Sequence, residues 1–175
     1  MRLMPNRSAP CLEDEMQRQV AEYFSQRKFV PSNWNGYVNS MITPKVYREV
    51  RISQIGRISD IIIYITDRKI INIECKMAGY DEVIRQAKDH LSWADYSYVC
   101  FHANSYLPSS SVRDLLNNGI GLLLWIPEIF TEVIQATHNK KKDKAIHNKV
   151  LNILKKKDSI KTGMNEVKQQ KTIFD

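Results

Sequence analysis

Apolar residues recur at helical spacing early in the chain. Leu12, Met16, Val20, Tyr23 and Phe24 share one face and predict an amphipathic helix over residues 12–27. A polar stretch containing Pro31, Ser32, Asn33, Trp34, Asn35 and Gly36 then reads as a loop. Three segments rich in β-branched residues follow at Lys45–Ile52, 58–65 and 69–75, and Thr66, Asp67 and Arg68 form a tight hairpin connection between the last two. Residues 80–94 read as a helix with Val83, Ala87, Leu91 and Ala94 on one side, and Tyr96–His102 alternates as a strand. Residues 110–118 form a short helix that Gly119 ends as a C-cap, and 120–126 is apolar on both faces, as an inner strand is. Ile146, Val150, Ile153 and Leu154 draw a narrow apolar stripe on a lysine-rich helix. The order α-β-β-β-α-β-α-β-α, with antiparallel strands first and a crossover helix after them, predicts a single α/β (α+β) domain: a mixed sheet flanked by helices.

Composition narrows the class. The chain has 175 residues, 43% hydrophobic and 26% charged, ordinary globular usage that argues against wholesale disorder. Its longest apolar runs, 61–65 and 120–127, fall far short of the roughly 20 residues a bilayer span needs. Near the N-terminus, Arg2 and Arg7 precede no apolar core of a secretory signal. Cys11, Cys75 and Cys100 are an odd set without metal-like spacing, which excludes a disulfide framework and suggests a reducing compartment. The expectation is a soluble cytoplasmic protein with no membrane partner.

Charge divides the chain. Residues 139–175 hold 11 lysines against four acids, and this excess of +7 equals that of the whole chain, because residues 1–138 balance. The expected organisation is a domain at 1–138 and a basic helical tail at 139–175. Such a tail either meets a polyanion, most often nucleic acid, or is a solvated helix that aids solubility.

Four charged residues stand on the predicted strands: Glu49, Asp60, Glu74 and Lys76. Asp60 sits within an apolar strand and Glu74 within the next, and burying either needs compensation. With a hairpin centred near Asp67, Asp60 and Glu74 fall almost opposite each other. Facing carboxylates have Cβ atoms about 5 Å apart and repel unless a cation lies between them. Mg²⁺ and Mn²⁺, hard ions with oxygen ligands, are the natural candidates. Glu74 and Lys76 share a face, so Lys76 beside the ion can deprotonate or orient a water. The plainer alternative is an ion pair of Lys76 with Glu74 or Asp60 at a sheet edge.

The segment Gly56-Arg-Ile-Ser-Asp60, with Ile73-Glu-Cys-Lys76, resembles the PD-(D/E)XK nuclease superfamily, the restriction-endonuclease-like fold that includes Holliday junction resolvases. Arg85-Gln-Ala-Lys-Asp-His90, the strand around Ala94-Asp-Tyr-Ser-Tyr-Val99 and Gly119-Ile-Gly-Leu-Leu-Leu124 extend the likeness to about half the chain. The resemblance implies that Asp60, Glu74 and the Cys75 main-chain carbonyl bind Mg²⁺ or Mn²⁺. Lys76 would activate water or stabilise charge at the scissile phosphate, and Gln86 would orient the site or touch the DNA backbone. A further acid, Glu15 or Glu22 on the first helix or Glu49 on the first strand, would complete the metal site. Ser59 replaces the family's proline, and His90 stands where several relatives have tyrosine and is expected to face solvent. Arg57 and Arg85 would contact phosphates, or one would neutralise a buried carboxylate. The Cys75 thiol, Trp93 and Trp125 are expected in the core, and Trp34 and Tyr37 anchor their loop.

The function implied is a metal-dependent nuclease, an endonuclease hydrolysing DNA phosphodiester bonds in repair, recombination, restriction or phage DNA processing. Lys140, Lys141, Lys142, Lys155, Lys156 and Lys157 would add backbone affinity for DNA, and a homodimer would suit cutting both strands. The alternative is a catalytically inactive nucleic-acid-binding or accessory module of the same fold.

Overall fold

Strands rich in isoleucine pair where the chain can turn back on itself, and helices fill the crossovers between parallel neighbours. In a computed structural model of the chain, residues 9–25, 44–66 and 69–171 are described, with side chains at 12–25, 44–65 and 69–157. Their elements are α1 (Ala9–Ser25), β1 (Lys45–Ile52), β2 (Arg57–Thr66), β3 (Lys69–Lys76), α2 (Tyr80–His90), β4 (Tyr96–His102), α3 (Ser109–Asn118), β5 (Gly121–Ile126), β6 (Ile129–Ile134) and α4 (Lys144–Lys171). The loop at 31–36 with Trp34 and Tyr37, the turn residues Asp67 and Arg68, and the Cys11 side chain lie outside the described residues.

The strands form one six-stranded mixed sheet in the order β1-β2-β3-β4-β5-β6. β1, β2 and β3 are mutually antiparallel, β3, β4 and β5 run parallel, and β6 returns antiparallel to β5. No helix among the described residues is long and apolar enough to cross a membrane.

Two layers of helix cover the sheet. Met16, Val20 and Phe24 of α1, spaced four apart, pack on Ile61, Ile63, Ile71, Ile73, Tyr98 and Trp125. On the other face, Val83, Ile84 and Ala87 of α2 meet Val99, Phe101 and Leu122, joined by Leu115 of α3. Val150, Leu151 and Leu154 of α4 close that face over Val50, Ile52, Ile62, Ile70 and Trp93. The basic segment therefore begins inside the packed body. β3 is buried at six successive positions, as a strand covered on both faces must be. Trp93, Trp125 and Cys75 are all buried, and Gly119 ends α3 in the left-handed region at φ 65.

Two differences from the sequence reading have local causes. The helix read over 80–94 stops at His90, where the N–H groups of Trp93 and Ala94 both bond the His90 carbonyl and turn the chain into β4. The strand β6 was not anticipated. It is an edge strand of alternating half-exposed and exposed residues, reached through a turn at Glu128 (φ 70) and tied down by the Tyr98 hydroxyl, which donates to Glu132 at 2.8 Å.

A buried polar ladder fastens α2 to the sheet. Ser59 donates to Asn72 Oδ1, Asn72 Nδ2 donates to Ser97 Oγ at 3.2 Å, and Ser97 donates to the Ala87 carbonyl at 2.9 Å. A second knot surrounds Asp95, buried at the start of β4. Its Oδ2 accepts the Ile70 N–H at 2.8 Å, and its Oδ1 pairs with Lys142 at 2.6 Å. Lys142 thus neutralises a buried carboxylate. Lys142→Ala is expected to cost on the order of 2–3 kcal/mol, below the roughly 3–5 of a fully buried pair, because Asp95 keeps the Ile70 N–H. Lys140→Ala, at an exposed position, should leave denaturant midpoints unchanged; equal losses in both variants would refute the pairing's structural role.

Candidate functional site

The β2–β3 ladder runs through Tyr64↔Ile70, Ile63↔Ile71, Ile62↔Asn72 and Ile61↔Ile73. The next positions in this register are Asp60 and Glu74. Here the strands part, and the Cys75 N–H is met by the Asp60 carboxylate, Oδ2 accepting at 2.8 Å. β2 meanwhile stays paired with β1, and β3 with β4 through Lys76↔Phe101. The sheet therefore forks at the two carboxylates.

The strands also change face at this point. Tyr47 and Val50 share one cluster although three residues apart, while Arg48 between them reaches Asp14 of α1 on the opposite layer. In β2, Ile62 joins that same cluster and Ser59 bonds Asn72 beside it, whereas Ile61 and Ile63 pack with α1. The switch occurs across Glu49 and Asp60, which fall between the bridged pairs Arg48↔Ile61 and Val50↔Ser59. Glu49 adopts φ 51, a left-handed conformation costly for a residue with a Cβ.

An open cleft of about 680 Å³ lies at the fork, lined by Glu49, Arg51, Arg57, Asp60, Glu74, Lys76 and Gln86, among others. Arg57 stands at its rim, paired with Asp89 of α2 at 2.8 Å. Sequence-predicted Asp60, Glu74, Lys76, Gln86, Arg57 and Glu49 therefore come together. Others do not join them. Glu22 pairs with Arg18 at 3.5 Å and lines a separate groove with Lys157, and Glu15 accepts from Gln19 at 3.3 Å. Arg85, Lys140, Lys141, Lys155 and Lys156 are exposed and outside the cleft lining.

Two site residues differ from the sequence reading. Glu13, an α1 acid that the sequence reading did not single out, reaches Lys76 at 2.7 Å, while its other oxygen accepts the Met77 N–H at 3.3 Å. Its place three residues before Met16, next to the apolar stripe, was the available signal. His90 does not face solvent: it is fully buried, with Nε2 3.1 Å from Glu74 Oε1 and Nδ1 accepting the Trp93 indole N–H at 3.1 Å. Its spacing from Val83 and Ala87 already placed it on the buried side of α2.

The electrostatics are those of a crowded anionic site. Burial, then the Glu74 charge, pushes the Asp60 carboxyl up from 3.8 to about 7, against the opposing Cys75 N–H and Lys76. The Glu13 hydrogen bond raises Lys76 above the ordinary lysine value, so it stands as a firm ammonium. Glu74 is 1% exposed, and its Oε1 has no aligned hydrogen-bond donor, because the nearby His90 N–H is not aimed at it. A hard cation offsets such a cost, and the oxygen donors of Asp60 and Glu74 suit one. Among the described residues, no three His, Cys, Asp or Glu side chains converge as a complete ligand set, so main-chain oxygen or water would have to contribute.

No family model matches the chain, and no curated protein matches it. A solved structure of a protein of unknown function from Silicibacter pomeroyi is similar over the full length of both chains, with 18% identity and a TM-score of 0.57. At that identity the likeness speaks for the fold alone.

The raised Asp60 value fixes a pH dependence. The folded chain holds a proton there that the unfolded chain releases, so this contribution to stability is full below about pH 4 and is lost as pH climbs through about 7. In EDTA, Asp60→Asn should lack this component of the Tm–pH profile. Parallel wild-type and Asp60→Asn profiles would contradict this account.

Proposed function

We propose that the chain is a Mg²⁺- or Mn²⁺-dependent deoxyribonuclease of the PD-(D/E)XK kind, a cytoplasmic endonuclease acting on DNA phosphodiester bonds. The observation that carries this reading is the fork: two carboxylates opposite each other at the end of the β2–β3 ladder, opening onto a cleft that also holds Lys76 and Gln86. Asp60, Glu74 and the Cys75 carbonyl would hold the ion, with Glu49 as the further acid from β1. Bound there, the ion would supply Lewis acidity at the phosphate.

The remaining steps belong to the chain's own groups. Lys76, paired with Glu13, donates to a phosphate oxygen and stabilises charge there. Gln86 projects into the cleft from α2 and orients the attacking water or the DNA backbone. Arg57, braced by Asp89, contacts a phosphate at the rim. Lys140, Lys141, Lys155 and Lys156 add sequence-independent affinity for the DNA backbone. A homodimer would set two such clefts against the two strands.

One observation favours a second reading, a DNA-binding module of the same fold without turnover: Lys76 is engaged by Glu13. Incubation with linear, supercoiled and branched DNA in Mg²⁺, Mn²⁺ or EDTA separates the two. The enzyme predicts metal-dependent cleavage that falls at least about 10²-fold in Lys76→Ala. Binding without cleavage on all substrates would establish the module instead.

The basic surface has its own readout. Changing Lys140, Lys141, Lys155 and Lys156 together to Gln should reduce the slope of log K against log salt by about 0.9 for each phosphate no longer neutralised. Lys142 stays unchanged in that variant because it serves Asp95. An unaltered slope would remove these lysines from the DNA interface.

A further inference from the structure

Glu74 is buried in the sheet, and the polar group that approaches its Oε1 comes from the end of α2. His90 Nε2 lies 3.1 Å from that oxygen, and both residues are essentially inaccessible. The opposite ring nitrogen, Nδ1, lies 3.1 Å from Trp93 Nε1, and Trp93 is itself fully buried. An indole N–H only donates, so Nδ1 must be the accepting nitrogen. In the neutral ring the hydrogen is then on Nε2, on the side of Glu74. Trp93 is fixed in turn, because His147 of α4 places its Nδ1 2.8 Å from the Trp93 carbonyl.

We propose that His90 is a positioning residue for Glu74: Trp93 selects its Nε2–H tautomer, and that N–H claims Oε1 and leaves Oε2 to the cleft and a divalent cation. The inference rests on the metal-site reading given above. His90 Nε2 and Glu74 Oε1 stand 3.1 Å apart without an aligned hydrogen bond, and in the proposed role the carboxylate turns to meet that N–H when it holds the ion. His90 touches neither substrate nor ion; it acts through Glu74. The arrangement is the second layer of a metal site, in which an outer partner fixes the orientation of a ligand.

Two measurements on the full chain test this. Long-range ¹H–¹⁵N spectra of the His90 ring should report an Nε2–H tautomer in EDTA, and Trp93→Phe, which keeps the aromatic bulk, should collapse that preference. Mn²⁺ affinity, read by calorimetry or by the EPR signal of free ion, should weaken about 10–100-fold in His90→Ala. His90→Gln, whose amide can also donate, should recover part of the loss. Unfolding midpoints of each variant separate loss of fold from loss of orientation. An Nδ1–H tautomer overturns the proposal whether or not metal binds. Wild-type Mn²⁺ affinity in a folded His90→Ala also overturns it. A wild-type chain that takes up no Mn²⁺ overturns the metal-site reading itself and this role with it, and the tautomer spectrum tells the two failures apart.

Discussion

The carboxylate of Asp60 stands where a main-chain ladder would otherwise continue. By accepting the Cys75 N–H it satisfies a donor that the fork leaves open, and so permits β2 and β3 to separate without an orphaned backbone group. Much follows from that one bond. It sets a second carboxyl beside Glu74 at a depth where burial penalises the charged form. It also coincides with the change of face in β1 and β2, which turns Arg57 toward α2 while Ile61 and Ile63 remain on the α1 side. A cleft with acids at its base and a lysine at its lip is the geometric result.

The position of α2 over this fork depends on polar rather than apolar chemistry. Ser59, Asn72 and Ser97 form a buried chain ending on the Ala87 carbonyl, one residue beyond Gln86 and three before His90. A hydrophobic contact tolerates sliding, but a fully satisfied polar chain fixes one register. The elements that present Gln86 and His90 are therefore located by hydrogen bonds that stand outside the reacting chemistry.

The strands were legible because isoleucine-rich runs and the turn between them leave few alternatives, and the opposition of Asp60 and Glu74 needed only the position of that turn. What escaped was information carried by neighbours in space. The edge strand β6 pairs through its backbone and buries little, so its alternation was too weak to separate from a loop. His90 lies on a face that periodicity assigns to the core and Glu13 lies beside one, yet a polar residue in such a place is read as solvated unless its partner is known. Those partners, Lys76 and Glu74, lie 63 and 16 positions away in the sequence. Charge and packing carry different information at the C-terminal end as well: the lysines past residue 138 report on solvent, whereas Val150, Leu151 and Leu154 report on the core.

The last of these features bears on how such a chain can evolve. Because α4 enters the fold through an apolar stripe and through His147 on Trp93, its lysines ride on a structural rib. A basic extension attached by a linker can be lost, duplicated or exchanged between proteins as a unit. This one is not portable. Its charge can drift one surface residue at a time, while the helix beneath must be kept for the sheet to stay covered, so selection on surface charge and selection on foldedness act on the same few turns.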